Sequence, residues 1–224
     1  MKRTFHTKYW NGNFYISPHY KGKPDDRAQA LAIVAGVLPE SEYPVIRPFF
    51  KQQYHASPYM EKYVLEALCM MGYYEDALER MKKRYHDMVE SDLTTLWEGW
   101  GIGSKGFGGG SYNHAWSGGP LTILSQYFAG ISSLKPAFKE FVIKPVFDCF
   151  KHVHSITPTK WGKIELNIAD ELNMKVADVE IPRNTKGYFV LPDGIEKYRI
   201  NGKEKFAEKG IIVLKEGIWK FEFY

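Results

Sequence analysis

The spacing of apolar residues changes once along the chain, near residue 140. Before this point apolar residues recur every three to four positions, which predicts helices, and after it they alternate with polar residues, which predicts strands. No single regular element accommodates both periods. The 224 residues therefore predict an α+β protein with two domains, a helical domain at 1–140 and an antiparallel β-sandwich at 141–224.

Residues 1–140 carry several helix-start signals, in which proline, serine or an acidic residue precedes an apolar run. The third and fourth predicted helices form a helical hairpin across Gly72, a residue suited to ending a helix. The predicted helices begin near Pro24, Ser41, Ser57, Tyr73 and Gly119.

Residues 141–224 read as seven or eight short strands separated by turn residues. The segments 163–168 and 219–223 alternate with period two, and Asn201-Gly202 is a tight hairpin signal. Strands of this length and number in about 84 residues are typical of an antiparallel sandwich.

A long loop separates the fourth and fifth predicted helices. Residues 93–119 hold nine of the 20 glycines and three of the six tryptophans. Flexible linkers are not rich in tryptophan, and ordered loops of this length often carry function. Glycine spacings at Gly101, Gly103 and Gly106 give only weak support to a phosphate-binding loop, because no buried strand precedes them.

Several classes of function lack support in the sequence. The net charge of +4 is spread evenly over both halves, so nothing indicates nucleic-acid binding, and no apolar run is long enough to span a membrane. Cys69 and Cys149 lack the CxxC spacing of zinc or redox sites. His152 and His154 fit one face of a strand better than a metal site. We therefore expect no metal or other cofactor.

Glu98 is the candidate catalytic residue. It lies between Trp97 and Trp100, and neighbouring indoles can raise the pKa of a carboxyl by desolvation and also stack on a sugar ring. The same spacing is equally compatible with a Glu98 that caps a helix or pairs with an arginine. Each tryptophan could also be an ordinary core residue, although their clustering favours a binding surface.

His114 is the second candidate, in the segment that contains Asn113 and Trp116. A histidine in this polar setting could donate a hydrogen bond to a hydroxyl or carboxylate of a ligand. A purely structural hydrogen-bonding role is the more common use of a loop histidine. We predict substrate contacts for His114, Asn113, Trp97, Trp100 and Trp116.

At these residues the chain resembles the bacterial α-L-rhamnosidase family of glycoside hydrolases. The matching pieces are Thr94-Thr95-Leu96-Trp97-Glu98, Asn113-His114 leading to Tyr127–Ile131, Val179–Pro182 and Phe189–Pro192. The resemblance implies an (α/α)6 barrel followed by a C-terminal β-sandwich, and removal of terminal α-L-rhamnose with inversion. It also implies that Glu98 is the general base and that His114 contacts the sugar.

Family members are much longer, and the segment that holds their general acid has no counterpart in these 224 residues. We therefore expect the C-terminal part of a larger enzyme or a truncated relative, inactive alone because an inverting enzyme needs two carboxyl groups. An incomplete barrel should expose apolar helix faces and self-associate. The expected ligand is a rhamnose-containing glycoside or polysaccharide. The alternative hypothesis is a non-catalytic carbohydrate-binding protein. A purely structural module is the hypothesis that the sequence supports least. The compartment, cytoplasm or periplasm of a bacterium, stays open.

Overall fold

The computed structural model describes residues 1–102, 110–171, 174–207 and 210–224. Gly103 and Gly106, which the weak phosphate-loop signal involves, lie outside these ranges. The chain forms two compact units, Met1–Ile123 and Leu124–Tyr224. The domain boundary near residue 140 stays a prediction.

The first unit is helical. Its helices are α1 (Lys2–Tyr9), α2 (Asp26–Val34), α3 (Tyr43–Gln52), α4 (Pro58–Met70), α5 (Tyr74–Val89) and α6 (Gly119–Ile123), with 3-10 turns at Glu40–Glu42 and Ala115–Gly118. Within the described ranges, no helix combines the length and apolar character that a bilayer crossing requires.

Two of the predicted helix starts, those of α2 and α4, are confirmed by capping interactions. The Asp25 side chain accepts a hydrogen bond from the Arg27 amide at 2.8 Å before α2, and Ser57 accepts one from the Met60 amide at 3.3 Å before α4. Gly72 ends α4 with a positive φ of 83° and opens the short turn to α5. The predicted helical hairpin is therefore confirmed as α4 and α5.

Two features of the helical unit differ from the sequence prediction. Helix α1 was not predicted, because it buries none of its residues and so lacks an apolar stripe. Helix α6 ends at Ile123, and residues Leu124–Phe128 form a π-helical turn in place of its expected continuation.

The second unit holds two sheets, which confirms the predicted sandwich. Its strands are β1 (Ile131–Ser133), β2 (Glu140–Ile143), β3 (His152–Thr159), β4 (Gly162–Glu171), β5 (Met174–Ile181), β6 (Lys186–Val190), β7 (Lys197–Ile200), β8 (Lys203–Phe206), β9 (Ile211–Leu214) and β10 (Gly217–Phe223). The sheet orders are β1-β2-β6-β9 and β3-β4-β5-β10-β7-β8.

One strand pair departs from the antiparallel prediction, since β2 and β6 run parallel. Strands β3, β4 and β5 lie in the other sheet, so the chain returns beside β2 by a crossover and not by a hairpin. Side chains of both sheets fill one apolar core. At its centre the rings of Phe189 and Phe221 stack with centroids 4.3 Å apart.

Candidate active site

Two loop segments of the helical unit pair with each other and position Glu98. The Glu98 amide donates to the carbonyl of Ser111 at 3.0 Å, and the His114 amide donates to the carbonyl of Leu96 at 2.8 Å. The Thr95 hydroxyl also donates to the Tyr112 carbonyl. This short ladder brings together two candidate residues, Glu98 and His114, that lie 16 positions apart in the sequence.

The Glu98 carboxylate has two polar neighbours on one side. Its Oε2 accepts a hydrogen bond from the Ser111 amide at 2.8 Å and lies 3.7 Å from Nδ1 of His114. The Ser111 hydroxyl is 3.3 Å from the same Nδ1. Both side chains are 35% exposed, and within the described ranges no lysine or arginine forms an ion pair with Glu98. The carboxylate is therefore accessible to water and to a ligand.

Trp116 and Tyr59 form an exposed aromatic surface beside these residues, and Tyr112 of the same loop segment is exposed as well. The Trp116 indole donates to the Glu98 carbonyl at 3.1 Å, and its ring lies 4.3 Å from the His114 ring and 5.5 Å from Tyr59 between centroids. Trp116, Tyr59 and Tyr112 are 42–44% exposed. Exposed rings next to a carboxylate and an imidazole are a combination that suits sugar binding.

The two tryptophans that flank Glu98 have different partners. Trp97 packs edge-on against Tyr112 with centroids 5.4 Å apart, and its buried indole nitrogen has no hydrogen-bond partner among the described residues. Trp100 donates from its indole to the Ala56 carbonyl at 2.7 Å and packs against Tyr85 and the Arg84 guanidinium. These contacts favour a packing role for Trp100. Asn113 is exposed.

A buried ionic cluster lies below Trp100, and the sequence analysis missed it. The Arg80 guanidinium bonds Asp26 at 2.6 Å and Glu61 at 2.5 Å, and all three side chains are at most 3% exposed. Arg80 also donates to the carbonyls of Phe50 and Gln53. The available signal was charged residues at otherwise apolar helix positions, which buried pairs require.

Burial and ion pairing act in opposite directions on the pKa values of this cluster. Burial raises the pKa of Glu61, and the hydrogen bonds from Arg80 act in the opposite direction. Burial lowers the pKa of Arg84, whose guanidinium donates to the carbonyls of Tyr54 and Ala56. Because Ala56 also accepts from Trp100, the cluster fixes the backbone on which the Glu98 segment rests.

The second loop segment is fixed by close packing. The buried Ser117 hydroxyl donates to the Trp97 carbonyl. A β-carbon on Gly119 would come within 2.6 Å of Cβ of Lys62 on α4, so only glycine permits this approach. The positions of Trp97 and His114 are therefore determined by the start of α6 as well as by the loop ladder.

Glu98 and His114 do not line the cavities found among the described residues. These cavities, of about 600, 210 and 460 Å³, are lined by other residues. No group of three or more metal-ligating side chains occurs within the described ranges.

Comparison with known proteins confirms the resemblance at the family level. Residues 130–207 match the family model of the bacterial alpha-L-rhamnosidase C-terminal domain. No curated protein sequence matches the chain significantly.

Solved structures match nearly the whole chain in fold. The α-L-rhamnosidase from Dictyoglumus thermophilum is 20% identical, with a TM-score of 0.82 over 99% of this chain and 28% of its own. The Streptomyces avermitilis α-L-rhamnosidase, solved with L-rhamnose, is 18% identical with a TM-score of 0.77, over 99% of this chain and 23% of its own. The Aspergillus terreus enzyme is 17% identical with a TM-score of 0.75, over 99% and 26%. The chain thus spans about a quarter of the length of these structures.

Proposed function

We propose that the chain is the C-terminal part of, or a truncated relative of, an inverting glycoside hydrolase that resembles α-L-rhamnosidase. The helices would belong to an (α/α)6 barrel, and the substrate would carry a terminal α-L-rhamnose. One observation carries the proposal: Glu98 and His114 lie side by side on an exposed aromatic surface, at the positions that the family resemblance assigns to the general base and a sugar contact.

The geometry fits a base acting on water. Oε2 of Glu98 is occupied by the Ser111 amide and faces His114, whereas Oε1 carries no hydrogen bond from any described residue. A water held at Oε1 could lose a proton to the carboxylate as it attacks the sugar. His114 would bind a sugar hydroxyl, and Trp116 would stack on the ring.

These 224 residues supply one of the two carboxyl groups that inversion requires. Loss of a positioned general acid removes about 10²- to 10⁴-fold in rate. We therefore expect almost no hydrolysis of methyl α-L-rhamnoside, whose leaving group needs protonation. A fluoride leaving group needs little protonation, so Glu98 alone should support slow hydrolysis of α-L-rhamnosyl fluoride.

The test compares the purified chain with the Glu98→Gln variant on both substrates, by fluoride release and by rhamnose release. We expect hydrolysis of the fluoride above the buffer rate by the unmodified chain and loss of that excess in Glu98→Gln. Glu90→Gln, an exposed carboxylate at the end of α5, is the matched control and should retain it. Efficient hydrolysis of the methyl glycoside would contradict the requirement for a separate acid.

A non-catalytic carbohydrate-binding protein is the second candidate. The exposed rings of Trp116, Tyr59 and Tyr112 favour it, since they need no acid to bind a sugar. Titration with L-rhamnose, followed by tryptophan fluorescence, separates the two candidates. Binding alone would be supported by two results together: binding that Trp116→Ala abolishes, and hydrolysis of the fluoride at equal rates by Glu98→Gln and the unmodified chain. Absence of both signals would contradict both candidates.

Self-association remains part of the proposal. A groove of about 600 Å³ in the helical unit is lined largely by apolar and aromatic side chains, among which Phe5 and Leu31 are 42% and 45% exposed. We expect light scattering to give a mass above 25.9 kDa at high protein concentration. A strictly monomeric mass would contradict this part.

A further inference from the structure

Three turns of the sandwich unit line an open cavity of about 460 Å³. They are the β3–β4 turn at 160–162, the β5–β6 turn at 182–185 and the β9–β10 turn at 215–217. Register explains why they meet: Gly217 of β10 pairs with Ile181 of β5, and Glu165 of β4 pairs with Glu180 of β5, so the three turns lie at the same end of adjacent strands. Turns gathered at one end of a sandwich are a common location for binding sites.

Trp161 lies in the wall of this cavity, and its orientation is fixed. Its indole donates to the Ala137 carbonyl at 3.1 Å. The ammonium groups of Lys139 and Lys160 lie 4.4 and 4.5 Å from the ring centroid. Two ammonium groups held over an oriented indole concentrate positive charge at this end of the sandwich, where an anionic substituent of a sugar can bind.

The backbone around Trp161 is held in unfavourable conformations. Ala137, Phe138 and Asn184 have φ values of 55°, 57° and 60°, and they are three of the four described non-glycine residues with positive φ. Lys139 Nζ joins the two segments by donating to the Asn184 carbonyl at 2.5 Å. Strained backbone of this kind concentrates at sites where a surface must keep a defined shape.

The cavity is lined by two cations, Lys163 and Arg183, and by two carboxylates, Glu180 and Glu216. Lys163 pairs with Glu165 and with Glu180, and Glu216 accepts a hydrogen bond from the Asn184 amide. Arg183 is exposed and forms no ion pair within the described ranges. Arg183, and Lys160 beside Trp161, are therefore available to an anion, whereas Lys139 is held by the Asn184 carbonyl.

We propose that this end of the sandwich, with Trp161 and Arg183 at its centre, binds a glycan that carries carboxylate groups. The sugar face would contact the indole, and a uronate carboxylate would accept hydrogen bonds from Arg183 and an adjacent lysine. The site lies in the sandwich unit, contains none of the residues assigned to hydrolysis, and does not depend on the function proposed for Glu98.

The test measures binding of the full chain to trigalacturonate and to its fully methyl-esterified form, which is neutral and otherwise of the same structure. Calorimetry should detect trigalacturonate and give an affinity about tenfold or more weaker for the ester. Trp161→Ala and Arg183→Gln should each lower the affinity for trigalacturonate about fivefold or more. Arg183→Gln should also reduce the ratio of the affinity for the acid to that for the ester.

The controls separate this site from general charge and from Glu98. Lys197 lies over the exposed ring of Phe206, near the end of β7 that pairs with the last residues of β10 and away from Gly217. Lys197→Gln, Phe206→Ala and Glu98→Gln should leave the affinity unchanged. Because Arg183 is exposed, Arg183→Gln tests the proposal even if Trp161→Ala unfolds. Equal affinity for acid and ester, no binding, or unchanged binding in Arg183→Gln would overturn the proposal.

Discussion

The cores of the two units differ in the type of side chain that they bury. All fully buried polar and charged side chains that the structure describes belong to the helical unit: Asp26, Gln29, Glu61, Asp76, Arg80 and Ser117. The described core of the sandwich is apolar, with stacked rings of Phe189, Phe221 and Phe223. Buried charge requires oriented partners, whereas apolar packing requires only volume and shape.

The difference explains how the candidate active site is supported. Arg80 and Arg84 donate to four carbonyls of the segment 50–56, and Trp100 donates to the last of these residues. The buried charges therefore position the end of α3 and the irregular backbone between α3 and α4. In the sandwich, hydrogen bonds between paired strands position the backbone, so its core needs no buried charges for this purpose.

Loss of Arg80 should give the largest effect. Arg80→Met leaves Asp26 buried without its cation and leaves Glu61 with only Arg84, at 3.6 Å, so we expect the free energy of unfolding to fall by about 3–5 kcal/mol. Urea unfolding followed by circular dichroism measures it. Adding Asp26→Asn and Glu61→Gln should recover part of the loss, because fewer unpaired charges remain. A loss below about 1 kcal/mol would show that the cluster does not stabilise the helical unit.

A change of side-chain shape in the apolar core of the sandwich should lower the free energy of unfolding less than the loss of Arg80 does. Phe221→Leu removes a stacked ring but leaves an apolar side chain of useful volume, so we expect a loss of about 1–2 kcal/mol in the same urea experiment. Phe206→Leu, at a ring that is 64% exposed, should change the free energy of unfolding by less than about 0.5 kcal/mol. Equal losses in the two variants would contradict the assignment of the core.

Asp76 makes the stability of the helical unit depend on pH. Hydrogen bonds from Arg47 and Lys51 lower its pKa below 3.8, so its stabilising effect is complete above about pH 4 and is lost as the pH falls through the folded-state pKa. Asp76→Asn should cost about 1 kcal/mol at pH 7, because both cations are partly exposed. Unfolding curves at pH 7 and pH 3 measure both values, and a cost that is constant with pH would contradict the pairing.

The smallest effect is expected for an exposed ion pair of the sandwich. Arg199 lies 3.3 Å from Glu222, and the side chains are 50% and 37% exposed. Arg199→Gln should change the free energy of unfolding by less than about 0.5 kcal/mol. A loss near that of Arg80→Met, measured in urea at the same ionic strength, would remove the contrast between the two units.

Local signals predicted most of the fold. Asp25, Ser57 and Gly72 mark helix ends through contacts within four residues, and the alternation in 163–168 and 219–223 follows from one buried face of a strand. Helix α1 and the early end of α6 were missed, because neither leaves a clear apolar period. The parallel pairing of β2 with β6 depends on a crossover that no local pattern records.

The sequence names the residues of the candidate site, whose roles stay predictions, but it does not give their geometry. In the sequence, Glu98 lies between Trp97 and Trp100. In the structure, Trp97 packs against the ring of Tyr112, and Trp100 donates a hydrogen bond to the Ala56 carbonyl. The contact of Glu98 with His114 arises from pairing between distant loop segments.

The sequence by itself determined the change from helical to strand spacing of apolar residues and the ends of most helices and strands. It also determined the loop in which a carboxylate, an imidazole and three indoles are concentrated. These features follow from periodicity and from the chemistry of neighbouring residues. Only the tertiary structure decided which of these groups touch, that Arg80 is buried between two carboxylates, and that three turns gather around Trp161. Such contacts join residues tens of positions apart, and their geometry depends on the packing of the whole unit rather than on any local preference.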